Sequence, residues 1–201
     1  MGLRISRDEK HGTICLDQED YVEEILHKFG MDCMEESKPV HTPEDPNQKL
    51  SKEQCPSSDA EREEMRKVSY REAVGSLIYA SQGTRPDISH AVNMVSRFSN
   101  DPGRAHWNAV KRIFRYLRGT TDTRLQFSRD GNHTIEGYGD ADWANETDKR
   151  RSVTGSIFLF QGGPISWQSK KQGTTALSTT EAKYMALSST CQEALWLESL
   201  A

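Results

Sequence analysis

The spacing of apolar residues changes near residue 120, and this change sets the class of fold that the chain can adopt. Before it, three segments repeat apolar side chains at helical spacing, around Val74, Val92 and Phe114. After it, apolar and polar residues alternate, as in strands with one buried face. The sequence therefore predicts an α+β fold, with helices first and an antiparallel sheet second.

Shorter patterns predict the remaining elements. Residues 3–6 and 13–16 are predicted to form a hairpin, and a helix is predicted to begin after Asp17 and end at Gly30. Prolines among acidic residues from Lys38 to about Ser69 predict a linker with a short helix near its end. The last helix is predicted to start near Ser178. The predicted strands are 125–127, 134–138, 152–160 and 165–169, the last two joined by a turn at Gly162 and Gly163.

The distribution of charge gives one candidate nucleic-acid surface. The formal net charge of −4 argues against a strongly basic binding protein, but residues 103–119 contain no acidic side chain. On a helix, most of the basic residues in this segment fall beside the apolar stripe, where they could follow a phosphate backbone. The alternative is an ordinary solvated helix face. The basic residues are Arg104, Lys111, Arg112, Arg115 and Arg118.

The cysteines and the lengths of the apolar runs indicate the cellular compartment of the protein. Four cysteines, Cys15, Cys33, Cys55 and Cys191, are scattered without a C-x-x-C pair, which indicates free thiols in a reducing compartment. No run approaches the roughly 18 apolar residues of a membrane helix, and no apolar signal region follows Met1. We therefore expect an intracellular protein, cytoplasmic or nuclear, with no membrane partner.

One acidic motif is a candidate metal site. Asp140-Ala141-Asp142 follows the predicted strand 134–138, and a strand end can fix a carboxylate where Mg²⁺ is held together with substrate phosphates. Two-metal nucleases need several such carboxylates from different elements. A D-x-D motif by itself is more often a carboxylate pair at a turn or strand end. Asp140 is the candidate metal ligand.

Motifs stand in order and correctly spaced along the chain, in the segments 70–80, 84–88, 106–120, 140–144, 151–155, 165–172, 176–187 and 193–197. Together they resemble the Ty1/Copia-type retrotransposon Pol polyprotein, and the resemblance covers nearly the whole chain. It implies the end of a reverse transcriptase palm and the following segment (1–43), an acidic linker (44–69), a helical connection (70–120) and a truncated ribonuclease H-like domain with one long helix (121–201).

The same resemblance implies activities, a cofactor and partners. They are RNA-directed DNA synthesis and cleavage of the RNA strand of RNA–DNA hybrids with Mg²⁺; the partners are the hybrid and the rest of the Pol polyprotein. The polymerase motif of the family lies upstream of Met1, and two ribonuclease H carboxylates lie beyond Ala201. Asp140 matches the first metal-binding aspartate of the family. We therefore expect no activity from the chain alone.

The helix that would supply the next metal ligand departs from the family. Copia-type elements usually read Glu-Ala-Glu-Tyr where this chain reads Glu181-Ala182-Lys183-Tyr184. One placement puts Lys183 at the metal position, which would be a loss-of-function substitution, and leaves Glu181 to cap the helix with Ser178. The other placement makes Glu181 the catalytic ligand. The two positions differ by about 200° around a helix, so one cannot easily replace the other.

Three hypotheses about function follow. The chain is an enzyme fragment that is inactive alone, a non-catalytic module that binds an RNA–DNA hybrid or another nucleic acid, or a decayed element with no function. The second predicts salt-dependent binding that weakens when Arg112 and Arg115 become alanine.

Overall fold

The computed structural model describes residues 2–32 and 38–200, and these residues form an α+β fold with six helices and six strands. Two short 3-10 turns, Lys52–Gln54 and Pro86–Ile88, lie between helices. The elements are β1 (Arg4–Asp8), β2 (Thr13–Asp17), α1 (Glu19–Lys28), α2 (Asp59–Arg66), α3 (Tyr70–Gly83), α4 (Ser89–Ser96), α5 (Arg104–Arg118), β3 (Leu125–Ser128), β4 (Glu136–Asp142), β5 (Val153–Phe160), β6 (Gly163–Lys171) and α6 (Thr179–Leu200).

The chain divides into two compact units, and the first, which includes Leu16–Arg124, is helical. Apolar stripes of α1, α3, α4 and α5 bury Ile25, Leu77, Val92 and Phe114, respectively, in one core. This is the arrangement that the helical spacing predicted, because each stripe needs a partner to leave water. At the start of α5, the buried His106 accepts a hydrogen bond from the backbone N–H of Gly103.

A buried arginine connects two distant parts of this helical unit. The Arg85 side chain is only 1% exposed and pairs with Asp87 at 2.8 Å. Its Nη1 also donates to the backbone oxygen of Thr120 at 2.8 Å, just after α5. A buried guanidinium is stable only when its donors are satisfied, so this contact specifies where the end of α5 lies.

The second unit contains residues 5–15 and the chain from Leu125 onward. It holds two three-stranded sheets, one in the order β1-β2-β3 and the other in the order β4-β5-β6. The strands of the second sheet are antiparallel, and Asp140 lies opposite Gly155, which lies opposite Ser169. The prediction of an antiparallel sheet is confirmed, whereas the pairing of β3 with the N-terminal hairpin was not predicted.

Helix α6 packs on one face of the second sheet through small side chains. Ala182 and Ala186 are fully buried and belong to one cluster with Ala141 of β4. A Cβ added to Gly139 would lie 2.2 Å from Oγ1 of Thr190, so the helix approaches the strand more closely than a larger side chain would permit. This close contact and the small buried side chains hold α6 near β4.

The structure corrects the predicted boundaries of two elements. Pairing with β5 continues to Asp142, so β4 is longer than the predicted strand 134–138 and Asp140 lies within it rather than after its end. Among the described residues β4 is an edge strand of its sheet. The β5–β6 turn is formed by Gln161 and Gly162, both at positive φ, and Gly163 already begins β6.

Two further expectations concern thiols and membranes. Cys15 and Cys191 are free cysteines, as predicted, and Cys33 lies outside the described residues. Within the part of the chain that the structure describes, no helix is long and apolar enough to cross a membrane.

Candidate functional site

The candidate site pairs a carboxylate on β4 with an ammonium on α6. Nζ of Lys183 lies 3.5 Å from Oδ1 of Asp140, and the side chains are 64% and 75% exposed, respectively. Lys183 follows the buried Ala182, so it projects from the side of α6 that lies along β4. The structure thus places Lys183, and not Glu181, beside Asp140.

Two contacts favour the charged form of Asp140. The backbone N–H of Ala141 donates to Oδ1 of Asp140 at 2.8 Å, and the positive charge of Lys183 adds a favourable Coulomb interaction. Together they hold the pKa of the Asp140 carboxyl below its usual value. Asp140 is therefore a carboxylate at neutral pH, already paired with a cation of the same chain.

Glu181 takes part in the cap of α6. Its backbone N–H donates to Oγ of Ser178 at 3.1 Å, and its Oε2 accepts the backbone N–H of Leu177 at 2.7 Å. This resembles a capping box, except that the glutamate bonds to the residue before Ser178. A carboxylate in the first turn also suits the positive end of the helix dipole. Glu181 thus has a structural role, as the capping interpretation predicted.

The residues around Asp140 do not fit a Mg²⁺ ion. Mg²⁺ requires oxygen ligands in near-octahedral geometry, whereas Asp140 has an ammonium beside it and Asp142 accepts a hydrogen bond from the Asn145 amide. Among residues 2–32 and 38–200, no group of three or more His, Cys, Asp or Glu side chains is arranged to hold a metal ion. This donor set supports no metal-dependent step.

The basic residues of α5 are less available than their sequence pattern suggested. Arg112 donates to Oγ1 of Thr42 at 2.9 Å and lies 3.7 Å from Asp45, while Arg115 donates to the backbone oxygen of Lys38 at 2.7 Å. Both belong to the same helical unit as the segment 38–45, which crosses this face. Lys111 and Arg118 are half-buried, and only Arg104 is exposed. The stripe is therefore partly an internal contact surface.

A second group of cations lies in the sheet unit and was missed from the sequence. Residues 149–180 carry five Lys or Arg and no Asp or Glu. The β5–β6 register places Lys170 opposite Thr154, and the loop 143–152 enters the sheet at Val153. Lys149, Arg150 and Lys170, which we call the cationic end of the sheet, therefore share one end and are exposed. The absence of acidic residues over this stretch was the signal that could have revealed them.

A buried glutamate orders the loop that carries two of these cations. Glu146 is 6% exposed; its Oε2 accepts the backbone N–H of Lys149 at 3.0 Å, and its Oε1 lies 3.5 Å from Nζ of Lys171. Burial raises the pKa of Glu146, but Lys171 and the backbone N–H groups of Lys149 and Arg151 lower it by more. The net effect is a lowered pKa, so Glu146 is a carboxylate that holds this loop in place.

Comparison with known proteins identifies several relatives. The chain is 50% identical over 198 residues to the retrovirus-related Pol polyprotein from transposon TNT 1-94 of Nicotiana tabacum, covering 98% of this chain and 15% of that protein. It is 39% identical over 185 residues to the Pol polyprotein from transposon RE1 of Arabidopsis thaliana, covering 92% of this chain and 12% of that protein.

A shorter relative, most of which the chain covers, has a different name. The secreted RxLR effector protein 161 of Plasmopara viticola is 50% identical over 133 residues, which are 66% of this chain and 94% of that protein. No protein-family model matches the chain, and no solved structure matches it. The chain thus spans less than one sixth of the transposon polyproteins that it resembles over nearly its whole length.

Proposed function

Because the chain belongs to the family of retrovirus-related Pol polyproteins of transposons, we propose that it is a Ty1/Copia-type segment joining the end of a reverse transcriptase to a ribonuclease H-like domain. The whole polyprotein would carry RNA-directed DNA synthesis and metal-dependent cleavage of RNA in RNA–DNA hybrids. For this chain we propose a narrower function, which is to bind the hybrid through its phosphates without cutting it.

The cationic end of the sheet carries this proposal. Lys149, Arg150 and Lys170 are exposed side chains at one end of the β4-β5-β6 sheet, where five Lys or Arg (149, 150, 151, 170 and 171) outnumber the three carboxylates of Asp142, Glu146 and Asp148. Clustered Lys and Arg bind phosphates by releasing the counterions condensed on them, so the affinity depends steeply on salt. Such contacts position a nucleic acid without reading its sequence. The net charge of −4 does not oppose this, because the interaction depends on the local charge.

The pairing of Asp140 with Lys183 supports binding rather than cleavage. Hydrolysis of a phosphodiester by two metal ions needs several carboxylates directed at one point. In this chain Asp140 faces an ammonium and Glu181 contributes to the cap of α6. The residues at hand therefore do not provide the converging carboxylates that this reaction needs, and binding without cleavage is the function that we propose.

Binding is tested by the fluorescence anisotropy of a labelled RNA–DNA hybrid at several salt concentrations. Changing Lys149, Arg150 and Lys170 together to alanine should make the slope of log affinity against log salt about 2 to 3 smaller in magnitude. The matched control removes two lysines and one arginine from the exposed surface of the helical unit, namely Lys52, Arg66 and Lys67. This control should leave the slope unchanged.

Other outcomes would contradict the proposal. No binding at low salt, or an equal loss in the control, would exclude the cationic end of the sheet as the binding surface. If hybrid binding were lost only in the double variant with Arg112→Ala and Arg115→Ala, the binding surface would be α5 instead. Cleavage of the hybrid in Mg²⁺ or Mn²⁺ that disappears in Asp140→Asn would show that the chain is a nuclease.

A further inference from the structure

Asp140 and Lys183 are held together by two well-packed elements. Asp140 lies within the paired part of β4, opposite Gly155, and Lys183 lies between the fully buried Ala182 and Ala186 along α6. The packing of the helix on the strand holds the two backbone positions close together, and the exposed side chains meet at 3.5 Å.

There is enough space beside Asp140 for an ion, so steric hindrance would not exclude one. Gly155, its register partner, points to the same face of the sheet, and a Cβ added there would have no atom within 4 Å. Asp142, two residues further along β4, is exposed on that face as well. A hydrated cation has room to approach these carboxylates, so access depends on charge.

We propose that Lys183 acts as a built-in cation, whose ammonium neutralises Asp140 and excludes divalent metal ions from it. An ion bound to Asp140 would have to displace the ammonium or lie within a few ångströms of it, and both cost free energy in an exposed site. The side chains around Asp140 therefore do not fit the Mg²⁺ site that the family resemblance implies. The ammonium at position 183 is the charge in this site that opposes a divalent ion.

The test measures Mn²⁺ binding to the full chain without nucleic acid, by electron paramagnetic resonance and by calorimetry. Wild type should bind Mn²⁺ weakly, Lys183→Gln somewhat more tightly, and Lys183→Glu at least about tenfold more tightly than wild type, because a carboxylate then replaces the ammonium. Adding Asp140→Asn to Lys183→Glu should abolish the gain. Circular dichroism melts verify that each variant is folded, which we expect because position 183 is exposed.

Two results would overturn the inference. In the first, the wild-type chain binds Mn²⁺ as tightly as Lys183→Glu does, and Asp140→Asn abolishes that binding. This would show that Lys183 does not exclude the ion. Lys183→Gln that binds no more tightly than wild type would show that the ammonium charge is not the obstacle. Because no nucleic acid is present, failure here is distinguishable from failure of the proposed hybrid binding.

Discussion

At the scale of single residues, buried polar groups specify contacts that apolar packing leaves open. Arg85 is the largest fully buried side chain of the described residues, and it accounts for the position of the chain after α5. Glu146 does the same for the loop 143–152, because its carboxylate bonds to the backbone of that loop and pairs with Lys171 of β6. Leaving such a group unsatisfied costs more than the bond contributes, which makes the geometry specific.

The contribution of Glu146 depends on pH in a defined direction. Its pKa is lower in the folded chain than in the unfolded chain, so its stabilisation is fully present above the unfolded value of about 4.3 and is lost as the pH falls through the folded value. Glu146→Gln should therefore lower the free energy of unfolding by about 1 kcal/mol at neutral pH and by less in acid. Urea denaturation at both pH values measures the difference.

A control for this variant is Glu63→Gln, because Glu63 is exposed on α2 and its pair with Arg66 lies at the surface. Surface ion pairs contribute little, so this change should have almost no effect. A cost for Glu146→Gln that is the same at both pH values would mean that its hydrogen bonds, rather than its charge, stabilise the loop.

At the scale of elements, α6 combines a cap, a packing face and an ion pair on neighbouring residues. Ser178 and Glu181 satisfy the start of the helix, Ala182 and Ala186 pack on the sheet, and Lys183 pairs with Asp140. Helical geometry separates these roles, because residues two apart point in nearly opposite directions. The roles of Glu181 and Lys183 should therefore be separable by mutation.

Ser178→Ala should destabilise the fold by about 1 kcal/mol, because the backbone N–H of Glu181 loses its acceptor at the start of α6. Chemical denaturation measures this change, and Ser178→Asp, which restores an acceptor, should recover most of it. Neither variant should alter Mn²⁺ binding. If Ser178→Ala changed metal affinity as strongly as Lys183→Glu, the cap and the ion pair would not be independent.

At the scale of the whole molecule, the chain pairs its first strands with a segment more than a hundred residues later. The hairpin β1–β2 precedes the helical unit, yet β2 pairs with β3, and residues 5–15 belong to the sheet unit. The boundaries inferred from the family resemblance, at 43, 69 and 120, stay predictions. The compact units that the structure shows combine segments that are not adjacent in sequence.

Removing residues 2–15 should therefore affect the sheet unit selectively. The amides of Leu125–Ser128 should exchange with solvent at least about tenfold faster, because β3 loses its hydrogen-bonded neighbour β2. Amides of α5 should keep their protection and serve as the internal control. Hydrogen exchange with mass spectrometry measures both, and unchanged exchange in β3 would mean that its pairing with β2 contributes nothing to its stability.

The sequence by itself determined the features whose causes lie within a few residues. These include the helices α3 and α5, the strands β5 and β6, and the capped start of α6. Apolar periodicity and capping act over one or two turns of chain, so they can be read locally. The excess of basic residues that forms the cationic end of the sheet was also present as a signal in the sequence. The position of these residues in the fold could not be read from it.

Only the tertiary structure decided which distant segments meet. It extended β4 through Asp142 by pairing with β5, placed Lys183 beside Asp140 through the packing of α6, and engaged Arg112 with residues of the segment 38–45. Each of these contacts depends on packing between elements far apart in the chain. Local patterns specify which face of an element is buried, but the partner of that face is selected by the packing of the whole core.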